Sequence, residues 1–326
     1  MRVLLTGSSG WLGRHLAPLL VRGGHEVVGL DPSPGEHTQV MGSVADRALV
    51  DRIFAEHRIE AVIHAGALHK PDIVRYPAQA FVDVNVTGTL NLLEAAVAAG
   101  HDRFVFTSTT SLMISEAIRA GKGGGATRAA WLDESFGPIE PRNIYGVTKW
   151  AAEQLCGLYH RRHKLAVMVL RTGRFFPEDD DTHSQPSGPN LKASEFLNRR
   201  LTVEDAADAH VVALGRAVEI GFGTFILSAP PPFARDEAEE LVRDAPAVIA
   251  RRFPDAPELY ARAGWVLPAH IDRVYDPGLA ERVLGFRCRT DFAAVLEALR
   301  TASALPFAHD PSYVSPLEQR EKGKLP

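Results

Sequence analysis

Cysteine is nearly absent: Cys156 and Cys288 are the two in 326 residues, far apart and outside any CxxC spacing. That excludes a disulfide framework and a thiolate metal site and points to a reducing compartment. No Lys/Arg stripe stands out in a chain of net charge -4, which argues against a nucleic-acid surface. The basic runs HRRHK (160–164) and RRF (251–253) read as solvated helix faces. No run approaches the ~18 apolar residues of a membrane span. Glycines interrupt the apolar start MRVLLTGSSGWLG too soon for a signal peptide. The histidines show no HExxH or other ligand spacing, and the adjacent carboxylates of PEDDD (177–181) fit a solvated segment, so no metal site is expected. What remains is a soluble, cytoplasmic chain, 45% hydrophobic and long enough for one domain plus a smaller lobe.

Five short apolar runs are present: RVLLT (2–6), EVVGL (26–30), AVIHA (61–65), RFVFT (103–107) and AVMVL (166–170). They read as strands buried on both faces. Amphipathic stretches such as LGRHLAPLLVRGG (12–24) and GTLNLLEAAVAAG (88–100) lie between them, each closed by glycine. Such alternation predicts an α/β fold with a Rossmann-like, doubly wound parallel sheet. Three segments break the rhythm. Residues 119–143 read as a long loop, 177–196 are acidic and turn-rich, and 229–276 lose the pattern. In an open α/β sheet ligands bind at the carboxyl ends of the strands, so 177–198 and 229–276 are candidates for a small C-terminal substrate lobe. The expected division is 1–172 plus about 199–228 for the nucleotide domain, 173–198 plus 229–300 for the lobe, and 301–326 for a tail that is extended on the surface or disordered.

The first strand runs directly into GSSGWLG. Gly7 permits a tight turn, Gly10 lets backbone approach a pyrophosphate, and Gly13 lets the helix pack on the strand; the helix N-terminus faces the phosphates. Asp31, at the end of the second strand, can accept the adenosine ribose hydroxyls and repel a 2′-phosphate, and no arginine follows it closely. NAD is therefore the expected cofactor, in preference to NADP. Further along, Tyr145 and Lys149 in YGVTK are four residues apart and share one helix face. An ammonium beside a phenol lowers its pKa and makes it a competent base for an alcohol proton.

In order and spacing, TGSSGWLG (6–13), Asp31, HAGALH (64–69), NVTGTLNLLEAA (85–96), FVFTSTTS (104–111), YGVTK (145–149) and VEDAADAHVVAL (203–214) resemble the extended short-chain dehydrogenase/reductase family, in particular its NAD-dependent epimerase/dehydratase branch. The resemblance covers most of residues 1–230. It implies a catalytic set of Thr109, Tyr145 and Lys149, with Thr110 and Ser111 as alternates for the hydroxyl. It implies cofactor contacts from Gly7, Ser9, Gly10, Trp11, Leu12, Gly13, Asp31, Ser43, Val44, Ala65, Gly66, Ala67 and Asn85 as well as from Tyr145 and Lys149, Asn85 acting more as a structural tie. His69, Thr110, Arg174 and Arg262 are its candidate substrate residues. Arg273 and Trp265 are alternates in the lobe. Helices near 77–100 and 147–163 would pair in a homodimer.

The departures narrow the activity. Thr110 and Ser111 replace the Asp-Glu pair of dehydratases, Ser43 stands near a usual aspartate, and Arg174 replaces a usual asparagine. Arg199 and Arg200 lie out of register with a phosphate-binding arginine. The resemblance implies NAD-dependent chemistry at a secondary alcohol of a sugar-type substrate, with a (nucleotide-)sugar epimerase first. A net dehydrogenase of a sugar, sugar acid or other small alcohol is the alternative, and a non-catalytic nucleotide sensor the remote one.

Overall fold

The computed structural model describes residues 1–121, 126–178, 186 and 188–312. Its centre is a seven-stranded sheet of β1 (Arg2–Thr6), β2 (Glu26–Asp31), β3 (Val40–Met41), β4 (Ala61–His64), β5 (Arg103–Thr109), β7 (Ala166–Thr172) and β8 (Phe222–Leu227). The order is β3-β2-β1-β4-β5-β7-β8, and each neighbouring pair is parallel. A second, two-stranded parallel sheet joins β6 (Ala130–Leu132) to β9 (Arg273–Tyr275). The five strands read from the sequence are all present, and β3, β6, β8 and β9 are additional. Residues 119–143 are therefore not one continuous loop.

Alternation along the strands builds two cores. Val3, Leu5, Ile63, Val105 and Met168 face the helices Trp11–Arg22 and Val203–Ile220. Leu4, Val62, Phe104, Phe106 and Val169 face the other side, against Gly88–Ala98 and Ile144–His163. A third apolar cluster draws Phe196, Leu241, Val248, Tyr260, Val274 and Phe292 together, and Ala129 and Phe307 join it from outside the expected lobe bounds. Trp265 packs edge-on against Tyr260 in that cluster, so the indole belongs to the lobe's core rather than to a sugar platform. Phe307 also faces the ring of Phe196 at 5.5 Å. The Asp310 N–H donates to Pro177 O at 2.9 Å, and Lys192 Nζ donates to the same carbonyl at 2.6 Å. The last described residues thus hold the start of the acidic segment. Residues 313–326 and Asp179–Asp181 lie outside the described residues. Among the described residues, no helix is long and apolar enough to cross a membrane.

One buried histidine ties the helix Val203–Ile220 to β5. His210 Nδ1 lies 2.7 Å from Ala206 O, which can only accept, so Nδ1 carries the proton and Nε2 accepts from the Thr107 hydroxyl at 2.7 Å. Burial pushes this imidazole down to about 4. Between pH 6.5 and 4 the unfolded chain binds a proton that the folded chain refuses, so stability falls as pH falls through that window, by about 3 kcal/mol for this group. A thermal-denaturation series from pH 7 to 4 is expected to show a shallower decline in His210→Gln than in the unmodified protein.

Candidate functional site

Two cavities open along the carboxyl ends of the strands. The first, about 390 Å³, is lined by Gly7, Ser9, Gly10, Trp11, Leu12, Gly13, Asp31, Ser43, Val44, Ala65, Gly66 and Ala67. Two of its glycines are obligatory. Gly7 has φ +73°, and a Cβ there would lie 2.8 Å from Gly66 N; a Cβ on Gly13 would lie 2.1 Å from Gly7 O. The turn is closed so tightly that helix and strand present bare backbone to the cleft. Asp31 is buried at its far end, its carboxylate accepting from Ser33 N–H at 2.8 Å and Ser9 N–H at 3.2 Å. A carboxylate has lone pairs left for two ribose hydroxyls. Among the described residues, no Lys or Arg lines this cavity. A bare-backbone cradle at a helix N-terminus, ending at a carboxylate, fits a dinucleotide.

Of the residues expected here, Asn85 does not reach the cleft. It is buried, with Oδ1 accepting from Leu68 N–H at 2.9 Å and Nδ2 donating to Leu68 O and the Thr148 hydroxyl, each at 3.1 Å. These bonds pin the loop after β4 to the helix Ile144–His163, the structural tie that the resemblance implies. Ser43 Oγ accepts from Ala45 N–H at 3.2 Å and stays on the cleft wall.

The second cavity, about 440 Å³, shares Ala65, Ala67, His69, Thr107, Phe175 and Phe176 with the first. Thr109, Thr110, Ser111, Tyr145 and Lys149 line it. Asn143 caps the catalytic helix Ile144–His163, its Oδ1 accepting from Gly146 N–H at 2.9 Å, and so sets the direction from which Tyr145 enters. The Thr109 side chain is near enough to Tyr145 to act on its pKa, and its Oγ1 accepts from Ser111 N–H at 3.1 Å. Thr110 turns its hydroxyl to Thr172 O at 3.2 Å.

The electrostatics differ from the expectation that Lys149 depresses the phenol. Burial dominates and pushes Tyr145 up to about 12, with the Thr109 hydrogen bond opposing and Asp72 adding to the rise. Lys149 is brought down to about 7, first by burial, with Cys156 and Glu153 opposing. Its Nζ lies 4.1 Å from the Phe106 ring centroid. Burial thus moves both groups toward their neutral forms. His69 stands where the cavities meet, its ring 5.9 Å from that of Tyr145 and 5.5 Å from that of Phe176. Burial lowers its pKa, with Asp72 opposing and Lys149 adding to the fall.

The far wall is cationic. Arg174, Arg199 and Arg273 all line the second cavity. Glu195 is buried and takes Arg199 at 2.7 Å, Arg200 at 2.8 Å and Arg174 at 3.8 Å. Burial alone would raise that carboxyl, yet Arg199, Arg200 and Arg174 together hold it below its ordinary value. One carboxylate thus serves three guanidinium groups. Arg200 also donates to Phe176 O at 2.6 Å, which makes it structural. Arg262 is not part of this wall. It ends the helix Ala256–Arg262 at an exposed position, whereas Arg273, carried on β9, lines the cavity.

Comparison with known proteins agrees with this geometry. The model of the NAD dependent epimerase/dehydratase family matches residues 3–221. The chain belongs to this family. It is an NAD-dependent enzyme of the extended short-chain dehydrogenase/reductase type. A UDP-glucose 4-epimerase of Rhizobium meliloti (strain 1021) is 29% identical, the alignment covering 91% of this chain and 95% of the relative. Among solved structures, a UDP-glucose 4-epimerase of Thermotoga maritima with UDP-glucose superposes with a TM-score of 0.63 at 20% identity, over 93% of this chain and 99% of that one. A mutated uronate dehydrogenase superposes with a TM-score of 0.61 at 19% identity, over 98% and 92%. These two likenesses speak to the fold.

Proposed function

We propose that this enzyme oxidises and re-reduces a secondary alcohol of a sugar nucleotide, acting as an epimerase. The observation that carries the reading is that Thr109, Tyr145 and Lys149 line a cavity that meets the NAD cleft at Ala65, Ala67, His69 and Thr107 and has Arg174, Arg199 and Arg273 in its lining. Gly7, Gly10 and Gly13 would hold the pyrophosphate, Asp31 the adenosine ribose, and Lys149 the nicotinamide ribose. Bound NAD supplies a hydride acceptor and, once reduced, a donor. Thr109 and Tyr145 hydrogen-bond the reacting oxygen, and the tyrosine takes and returns its proton. Arg174, Arg199 and Arg273 balance the charge of a diphosphate. The near-full-length match to the Rhizobium relative supports the sugar-nucleotide substrate. In this reading 173–198 and 229–300 form the substrate lobe over a nucleotide domain of 1–172 and about 199–228.

A second reading, net dehydrogenation of a sugar acid, is favoured by Arg174, a cation in the cavity wall where the resemblance leads one to expect an asparagine. Native mass spectrometry of freshly purified protein, followed by denaturation and identification of released nucleotide, separates the two. Two chains carrying close to one NAD each are the expected result, since an epimerase recycles its cofactor in place. An empty protein that binds NAD weakly would make NAD a co-substrate and favour the dehydrogenase. Release of NADP would overturn the role given to Asp31, and a monomer would remove the homodimer.

A further inference from the structure

We propose that Arg142 is a specificity-determining residue of the second cavity, binding an oxyanion, carboxylate or phosphate, that the substrate carries. The proposal rests on the reading of that cavity as the substrate site. Arg142 lies three residues before Tyr145, in the turn that launches the catalytic helix. Asn143 on one side is fixed by its cap to Gly146 at 2.9 Å. Pro141 on the other is pressed against the helix so closely that a Cβ on Gly146 would lie 2.8 Å from the proline Cβ. The backbone of Arg142 is thus held on both sides, and its side chain lines the cavity.

Its lack of a partner among the described residues sets it apart from the other arginines of the wall. Arg174 and Arg199 share Glu195, and Arg273 pairs with Asp272 at 2.6 Å. Arg142 makes no ion pair or hydrogen bond with any described residue, and its Nε is buried without a partner. A buried N–H without an acceptor is a standing cost. No carboxylate among the described residues pairs with it, whereas an incoming oxyanion would, through two parallel N–H···O bonds. Because the residue is anchored next to Tyr145, the contact also orients the substrate relative to the reacting oxygen. Sequence reading passed over Arg142 because it belongs to no motif.

The test uses the full chain loaded with NAD and labelled with 15N-arginine. Loss of one Nε–H resonance in Arg142→Lys identifies the signal. UDP-glucose, UDP-glucuronate, D-glucuronate and inorganic phosphate are then titrated separately. At least one is expected to shift that resonance and slow its exchange with water. Arg142→Gln should weaken the same probe by roughly 10- to 100-fold while NAD affinity holds within about twofold. A response to D-glucuronate and not to phosphate or UDP-glucose assigns a carboxylate; a response to phosphate or UDP-glucose and not to D-glucuronate assigns a phosphate. A resonance unmoved by all four probes, or unchanged probe affinity in Arg142→Gln, overturns the proposal. Epimerisation of UDP-glucose with an unmoved resonance would keep the proposed function and sink this site. A moved resonance on a chain that epimerises nothing would do the reverse.

Discussion

Tyr145→Phe is expected to lower turnover by roughly 10²- to 10⁴-fold, the range of a lost general acid–base group, with NAD affinity nearly unchanged. The phenol lines the second cavity together with Thr109 and Lys149. Phenylalanine keeps the ring and its packing beside His69, so the helix and the NAD cleft should survive the change. Single-turnover reduction of enzyme-bound NAD by substrate measures the step directly. Turnover within about threefold of the unmodified enzyme would end the assignment of Tyr145. If turnover falls together with NAD affinity, the tyrosine is serving the fold instead.

Gly13→Ala should be severely damaging to both fold and cofactor binding. The added Cβ meets Gly7 O at 2.1 Å and Ser8 Cα at 2.7 Å, all backbone, so no flexible side chain can move aside. Relief requires opening the turn between β1 and the helix Trp11–Arg22, which also dismantles the pyrophosphate cradle. A loss of about 3 kcal/mol or more in stability is expected, with NAD affinity reduced beyond detection. Gly215→Ala provides the contrast, because a Cβ there has nothing within 4 Å and a mid-helix alanine stabilises by roughly 0.5–1 kcal/mol. Chemical denaturation and NAD titration of both variants check the pair. Equal stability and equal NAD binding would mean that the turn is not closed as described.

The nucleotide half was legible in the sequence because its chemistry is local. A glycine turn, a carboxylate at a strand end and a Tyr/Lys pair on one helix face are each set by residues close together in the chain. The central strands were legible for the same reason, as continuous apolar runs. What escaped depends on distant segments meeting. β6 and β9 are three residues each and 143 positions apart in register, Ala130 opposite Arg273, so neither has a pattern of its own. Arg262 and Arg273 flank the same segment in sequence, and only the pairing of β9 with β6 brings one of them, Arg273, to the cavity. Asn85 was placed in a motif but not in space: its amide is used up by Leu68 and Thr148. Burial, which no spacing reveals, is also what reversed the expected effect on the Tyr145 phenol.

The wall common to both cavities has a consequence for inhibitor design. Ala65, Ala67, Thr107, Phe175 and Phe176 are surface for either ligand. Two weak fragments, one shaped for the adenosine end and one for the arginine end, could therefore be joined by a short linker laid across these residues. Once the first fragment is seated, the second meets its cavity at an effective concentration in the millimolar range for a short flexible linker. Selectivity would come from the arginine end, since a cradle for adenosine and pyrophosphate is a feature of every dinucleotide enzyme of this fold.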